Sequence, residues 1–391
     1  MPRLATTFHS KGPSFIKSAT TALNACVARN DVASWLRLLL LPNACLWSSS
    51  NSNGSSSVAT AVKKRLLAYE ATTTVSEVAA MCPTRNSRKA RRDARPISSK
   101  VSAKLDEKDV RGALRLCCSD DTIAPFTDDT AVLLASRHPP RPCDRRTFAP
   151  APDIPGISAT RSSVRTAVRT FPCGSAGRIS LWRPQFLKDC IRGVESTDDS
   201  HFLNALTGVI NIILSGRVPQ AIRPIVYGAN LIALTKKDGG VRPIAVGEVF
   251  RRVAAKCALY VIEKDVAAIT YPSQLGSGVR GGIDDAIHAA RAEVEQHLAK
   301  KVMLKLDFKN AFNSMRRDHL HECILKYVPM ASRFLKACYE DTSCLSFGAT
   351  RMLSEEGLQQ GDPLAPLLFA SASTTCSNLS PRPLRLRTWT T

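Results

Sequence analysis

Val302-Met303-Leu304-Lys305-Leu306-Asp307-Phe308-Lys309-Asn310-Ala311-Phe312-Asn313 is the stretch on which the fold turns. Val302, Leu304 and Leu306 alternate with Met303, Lys305 and Asp307, the period of a strand with one apolar face. The pattern predicts a buried strand over residues 302–308 with Asp307 at its C-terminal end. A helix over residues 313–328 follows, capped by Asn313 or Ser314. A carboxylate at such a strand end must be desolvated, paired or bound to a metal, because an unpaired buried charge is costly. Oxygen ligands there suit Mg²⁺, which takes one or two carboxylates plus substrate phosphates. On its own, an Asp that ends a strand is more often a cap or turn residue.

Working outward, Gly357-Leu358-Gln359-Gln360-Gly361-Asp362-Pro363-Leu364-Ala365-Pro366 lies about fifty residues downstream. Asp362 is suited to capping, and Pro363 to the first position of a helix. Gly361 lets another backbone or a base pair approach closely, and Gln360 offers donors and acceptors at that opening. Upstream stands Thr235-Lys236-Lys237-Asp238-Gly239-Gly240-Val241-Arg242-Pro243-Ile244. It predicts a hairpin, strands over 231–236 and 241–246 joined at the glycines. Lys236 and Arg242 on facing strands would clamp a triphosphate, the Arg binding two oxygens. Each of the three motifs taken singly is an ordinary turn or loop-to-helix junction.

Around them the periodicity predicts helices over 200–215 (Phe202, Leu206, Val209, Ile213 on one face), at Val249, Val253, Cys257 and Val261, and over 282–300 (Ile283, Ile287, Ala290, Val294, Leu298). A hairpin around Gly348 spans 345–353. Helices between hairpins make the class α+β.

Together and in this order the three motifs resemble the reverse transcriptases of non-LTR retrotransposons, over about residues 164–369. The resemblance implies a right-hand polymerase, present here as fingers and an incomplete palm, that copies RNA into DNA. It implies an RNA template, a DNA primer and deoxynucleoside triphosphates as partners, and Mg²⁺ as cofactor. It makes Asp307 the first catalytic metal ligand, with the Phe308 carbonyl beside it, and Phe312 the steric gate that favours deoxynucleotides. Asn310 and Ala311 would line the triphosphate, Lys236 and Arg242 would hold it, and Gln360 and Gly361 would bear on the incoming nucleotide and template base. Gln274, Gly276 and Arg280 resemble the template-side segment. Gly174, Gly177, Arg183 and Pro184 resemble the stretch before the fingers, though its usual Asp-Gly is replaced by Arg178-Ile179-Ser180-Leu181.

The resemblance also exposes a gap. Two-metal phosphoryl transfer needs carboxylates on both sides of the ion pair. The family supplies the others from an aromatic-x-Asp-Asp hairpin, whereas these 391 residues contain no acid after Asp362. The expectation is a polymerase fragment truncated before that hairpin and inactive alone, its terminal Pro/Arg/Thr tail reached by a frameshift or splice. The alternative is a non-catalytic nucleic-acid-binding remnant.

Composition agrees with a polyanion partner: 54 Lys and Arg against 33 Asp and Glu leave a net charge of +21. Hydrophobic content of 44% excludes wholesale disorder. Thirteen cysteines without a Cys-x-x-Cys pair fit reduced thiols better than a disulfide framework or zinc ribbon. His319, His321 and Cys323 lack an evident fourth zinc ligand. No phosphate loop of the Gly-x-x-x-x-Gly-Lys-[Ser/Thr] type occurs. No apolar run approaches membrane-spanning length, the longest stopping at Pro42. Residues 1–150 read as a loosely ordered, basic region with short helices over 32–41 and 101–116, an Arg-rich solvated run over 85–95 and a Pro/Arg linker over 139–152. The organised part is 151–370, and 371–391 reads as an unstructured tail. A basic, Ser/Thr-rich start resembles a transit peptide less than a simple basic terminus.

Overall fold

The computed structural model describes residues 12–47, 55–83, 96–106, 110–118, 122–172, 174–192, 201–235, 239–276, 279–297 and 307–377. Helices α1 (Gly12–Arg29), α2 (Val32–Cys45), α3 (Ser55–Ala71), α4 (Val75–Ala80), α5 (Ile97–Asp106) and α6 (Val110–Cys118) come first. Strand β1 (Thr122–Ile123) precedes α7 (Asp128–Ala135), α8 (Arg161–Arg169), α9 (Pro184–Arg192), α10 (His201–Leu214) and α11 (Arg223–Val226). Next come β2 (Ala229–Thr235), β3 (Val241–Gly247), α12 (Val249–Thr270), α13 (Gly282–His297), α14 (Arg317–Tyr327) and α15 (Ser332–Tyr339). The order closes with β4 (Ser343–Phe347), β5 (Thr350–Ser354) and α16 (Ala365–Ser377). Helix and strand are mixed, as the sequence implies, although helices dominate.

Strand β2 organises the sheet. One edge pairs antiparallel with β3 along its length, from Ala229 opposite Gly247 to Thr235 opposite Val241. The other edge pairs parallel with β4 at Ala229 and Asn230, and antiparallel with β1 at Leu234 and Thr235. β5 extends the sheet through an antiparallel turn at Gly348. Alternate residues Leu231, Ala233, Val241 and Ala245 bury against Leu345, Phe347 and Met352, with Ala131 and Leu134 of α7 in the same cluster.

The larger core is helical, with α10 at its centre. Phe202, Leu206, Val209 and Ile213 are buried as their period requires, and Leu203, Ile210 and Ile212 are buried too, so the helix is enclosed nearly all round. Residues 12–47 depart from the expected loose order: α1 and α2 belong to this core. Phe15, Ala19, Leu23 and Cys26 form one buried stripe of α1, hidden in the sequence by the Ser and Thr between them. Helix α2 runs on to Cys45 through Pro42, beyond the stop expected at 41. Pro42 has no N–H, so the Leu38 carbonyl one turn earlier lacks its usual helical donor. The Trp182 indole N–H fills that role at 2.8 Å, with the fully buried ring set between Phe15 and Phe250.

Other boundaries also move. The helix expected over 101–116 is two, α5 and α6, with residues 107–109 outside the described set. α13 is described to His297, with residues 298–300 outside the described set, and its Ile283, Ile287 and Val294 are exposed rather than core, as is Val261 of α12. α16 continues past 370 to Ser377, so the first residues of the expected tail are helical. The expected strand over 302–308 lies outside the described residues up to 306, as does the Arg-rich run up to residue 95; Asp307 and Phe308 themselves have no regular secondary structure. The segment 139–152 has no regular structure, yet it is not a loose linker. Arg145 pairs with Glu356 at 3.4 Å, Arg146 with Asp318 at 3.3 Å, and Phe148 stacks on His321 at 4.4 Å. Among the described residues no helix is long and apolar enough to cross a membrane.

Candidate active site

The segment after Asp307 does not enter a helix at once. Residues 309–314 are turns, and Asn310 adopts a left-handed φ of +58°, a conformation Asn tolerates better than most residues. α14 therefore begins at Arg317, with Arg316 at the cap position and no side-chain cap bond, in place of the expected Asn313 or Ser314 cap. Asn310 and Asn313 each donate a side-chain N–H to the Arg137 carbonyl, at 2.9 and 3.0 Å. Asp307 and Lys309 are exposed, and Phe308 is 56% exposed. Ala311 and Phe312 pack against the helical core, where Phe312 stacks on Phe369 with ring centroids 4.9 Å apart.

The Gly357–Asp362 segment docks on these turns. The Leu358 N–H donates to the Phe312 carbonyl at 2.8 Å, and the Gly357 N–H to the Met315 carbonyl at 3.0 Å. Gly357 has φ +72°, and a Cβ there would fall 2.2 Å from the Asn313 carbonyl oxygen, so only glycine fits. Three residues on, the Ala245 N–H of β3 donates to the Gln360 carbonyl at 2.6 Å. Gly361, at φ +120°, lies so near that a Cβ would stand 2.7 Å from the Ala245 oxygen. The close backbone approach read from Gly361 is thus made to the strand that carries Arg242.

One buried cation holds this junction. Arg251 of α12 is 1% exposed and donates to Asp362 Oδ2 at 2.7 Å and Gln359 Oε1 at 2.6 Å. It also donates to the Tyr227 carbonyl, which accepts Gln359 Nε2 at 2.9 Å as well. Asp362 spends its other oxygen on the Leu364 N–H at 3.0 Å, an Asx turn, and α16 starts at Ala365, two residues later than Pro363 predicts. Sequence reasoning missed Arg251. The available signal was a charge on the stripe shared by Ala254, Ala255, Ala258 and Ile262, which is otherwise apolar. It missed Arg317 too, whose buried guanidinium donates to the Gly357 carbonyl at 2.9 Å and the Ser354 carbonyl at 3.1 Å.

The structure therefore brings together three segments, β3, the turns over 309–315 and the 357–362 turn, and among the described residues gives Asp307 no hydrogen bond to β3 or the 357–362 turn. Arg242 is half-buried on β3, opposite Leu234. Lys236 lies outside the described residues. Gln274 is fully buried and accepts from the Gly276 N–H, while Arg280 is exposed. Among the described residues Gln274, Gly276 and Arg280 make no hydrogen bond to the three segments. His319 Nε2 lies 3.1 Å from the Ala372 carbonyl and His321 Nε2 3.1 Å from the Ala149 carbonyl, so both imidazoles tie neighbouring segments together. Among the described residues no group of three or more His, Cys, Asp or Glu side chains could hold a metal ion. With a single exposed carboxylate at the motif, these residues do not by themselves fit a two-ion centre.

Residues 234–380 match the family model described as reverse transcriptase (RNA-dependent DNA polymerase). No curated protein matches the chain. The matched stretch spans the end of β2, all of β3 and both turn motifs, and is less than half of the chain. Residues 164–233, which the motif resemblance also covered, fall outside it.

Proposed function

We propose that this chain is built on the reverse transcriptase of a non-LTR element, binding RNA template, DNA primer and deoxynucleoside triphosphate where its three motif segments meet. The observation that carries the reading is that junction: the Gln360 carbonyl bonded to Ala245 of β3, the strand that carries Arg242, and Phe312 bonded to Leu358. In this reading Arg242 and Lys236 hold the triphosphate, while Asn310 and Ala311 line it. Phe312 guards the sugar, Gln360 and Gly361 face the nascent pair, and Gln274, Gly276 and Arg280 touch the template. Asp307, with the Phe308 carbonyl, contributes one side of a Mg²⁺ site whose remaining carboxylates these 391 residues do not provide. The exposure of Asp307 favours a second reading, in which the chain is a non-catalytic nucleic-acid-binding remnant.

Nucleotide titration and primer extension on an RNA template with Mg²⁺ together test these readings. The expected result is RNA and nucleotide binding without chelator-sensitive extension by the purified chain. Arg242→Gln is expected to weaken nucleotide binding about tenfold, the worth of one charge-assisted contact. Chelator-sensitive extension would overturn the expectation of inactivity, RNA binding without nucleotide binding would favour the remnant, and failure to bind RNA would overturn both.

A further inference from the structure

We propose that the surface where α8 meets the first half of α12 is a second nucleic-acid contact, gripping the phosphate backbone of single-stranded RNA beside an exposed tyrosine. The identity of the ligand rests on the nucleic-acid reading above; the location rests on the geometry of this surface.

Three cations gather here around one ring. Arg252 and Lys256, one helical turn apart on α12, both stand over the Phe171 ring, each 4.8 Å from its centroid. Lys188 of α9 donates to the Phe171 carbonyl. The negative face of the ring draws the cations in and sets them in place. Their hydrogen bonds go to neutral oxygens: Arg252 to the Ala176 carbonyl at 3.1 Å, and Lys256 to Thr170 Oγ1 at 3.1 Å. Among the described residues none of the three forms an ion pair with a carboxylate. Asp362 and Glu248 act on Arg252 only at longer range. Burial, then repulsion from Arg252 and Lys188, holds the Lys256 ammonium below its usual range, a cost that a bound anion would relieve.

The hydroxyl of Thr170 also bonds Tyr260 at 3.3 Å, and that ring is 40% exposed one turn beyond Lys256. A basic groove with an aromatic platform at its edge is the arrangement that holds single strands, phosphates on the cations and a base on the ring.

The test is the salt dependence of binding between the full chain and fluorescein-labelled oligo(U). Each phosphate contact on a single strand contributes about 0.7 to the slope of log affinity against log salt. Arg252→Gln with Lys256→Gln is expected to reduce the slope by about 1.4, whereas Arg252→Lys with Lys256→Arg keeps it. Tyr260→Ala is expected to weaken binding about tenfold at every salt concentration, and Tyr260→Phe to leave it intact. RNA binding with an unchanged slope in the double Gln variant, with the native circular dichroism spectrum retained, overturns this proposal alone. Absence of RNA binding by the unaltered chain overturns the nucleic-acid reading and this proposal together.

Discussion

Leu38 and Trp182 illustrate how single residues settle this fold. Proline inside α2 frees the Leu38 carbonyl, and the Trp182 indole takes it up in a dry environment. Leaving a buried carbonyl without a donor costs about 1–3 kcal/mol. Trp182→Leu removes both ring and donor, so the hydrogen-bond share has to be isolated by comparing backgrounds. In a Pro42→Ala background the helix can supply its own N–H to Leu38, and the cost of Trp182→Leu is expected to fall by about 1–2 kcal/mol. Urea unfolding of the two single variants and the double variant measures this, and strict additivity would refute the link. Leu181, next to that indole, shows the opposite kind of residue effect. Its φ of +62° is a left-handed conformation that costs a non-glycine residue about 1–2 kcal/mol. Ser180 steadies this turn by donating a hydrogen bond to Glu248 at 2.8 Å.

Elements meet through buried charge. The Arg251–Asp362 pair joins α12 to the turn before α16, with side chains 1% and 6% exposed. Removing one partner of such a pair leaves an uncompensated buried charge and costs about 3–5 kcal/mol. Asp362→Ala is therefore expected to destabilise the chain by that amount. Arg251→Met with Asp362→Leu is expected to recover much of the loss while still weakening nucleotide binding, because the Arg251 bond to Gln359, the neighbour of Gln360, is gone. Denaturation curves and nucleotide titrations of the same variants distinguish the two effects; nucleotide affinity unchanged in the double variant would show that the pair only stabilises. The hairpins were legible from sequence because their glycines and alternation act locally. The start of α14 was not, since the Asn310 turn depends on the Arg137 carbonyl, far away along the chain.

At the scale of the molecule, the N-terminal helices decide how much of the chain folds as a unit. Leu23 of α1 is fully buried in the cluster that contains α10 and α12. Leu23→Ala is expected to cost about 2–5 kcal/mol and to shift a single transition seen identically by tryptophan fluorescence and circular dichroism. Two separated transitions would mean that α1 and α2 melt apart from the rest.

The sequence by itself determined the local grammar: the β2–β3 hairpin, the buried face of α10, that of α12 as far as Cys257, the turn at Gly348, and the motif residues that carry the resemblance. These follow from period, glycine placement and side-chain chemistry, all properties of a few neighbouring residues. Only the tertiary structure decided that residues 12–47 are core, that segment 139–152 is pinned, and that Arg251 and Arg317 clamp the motif turns. Those outcomes depend on partners remote along the chain, 40 residues from Arg317 to Gly357 and 111 from Arg251 to Asp362, and pairings at such range leave no period in the chain.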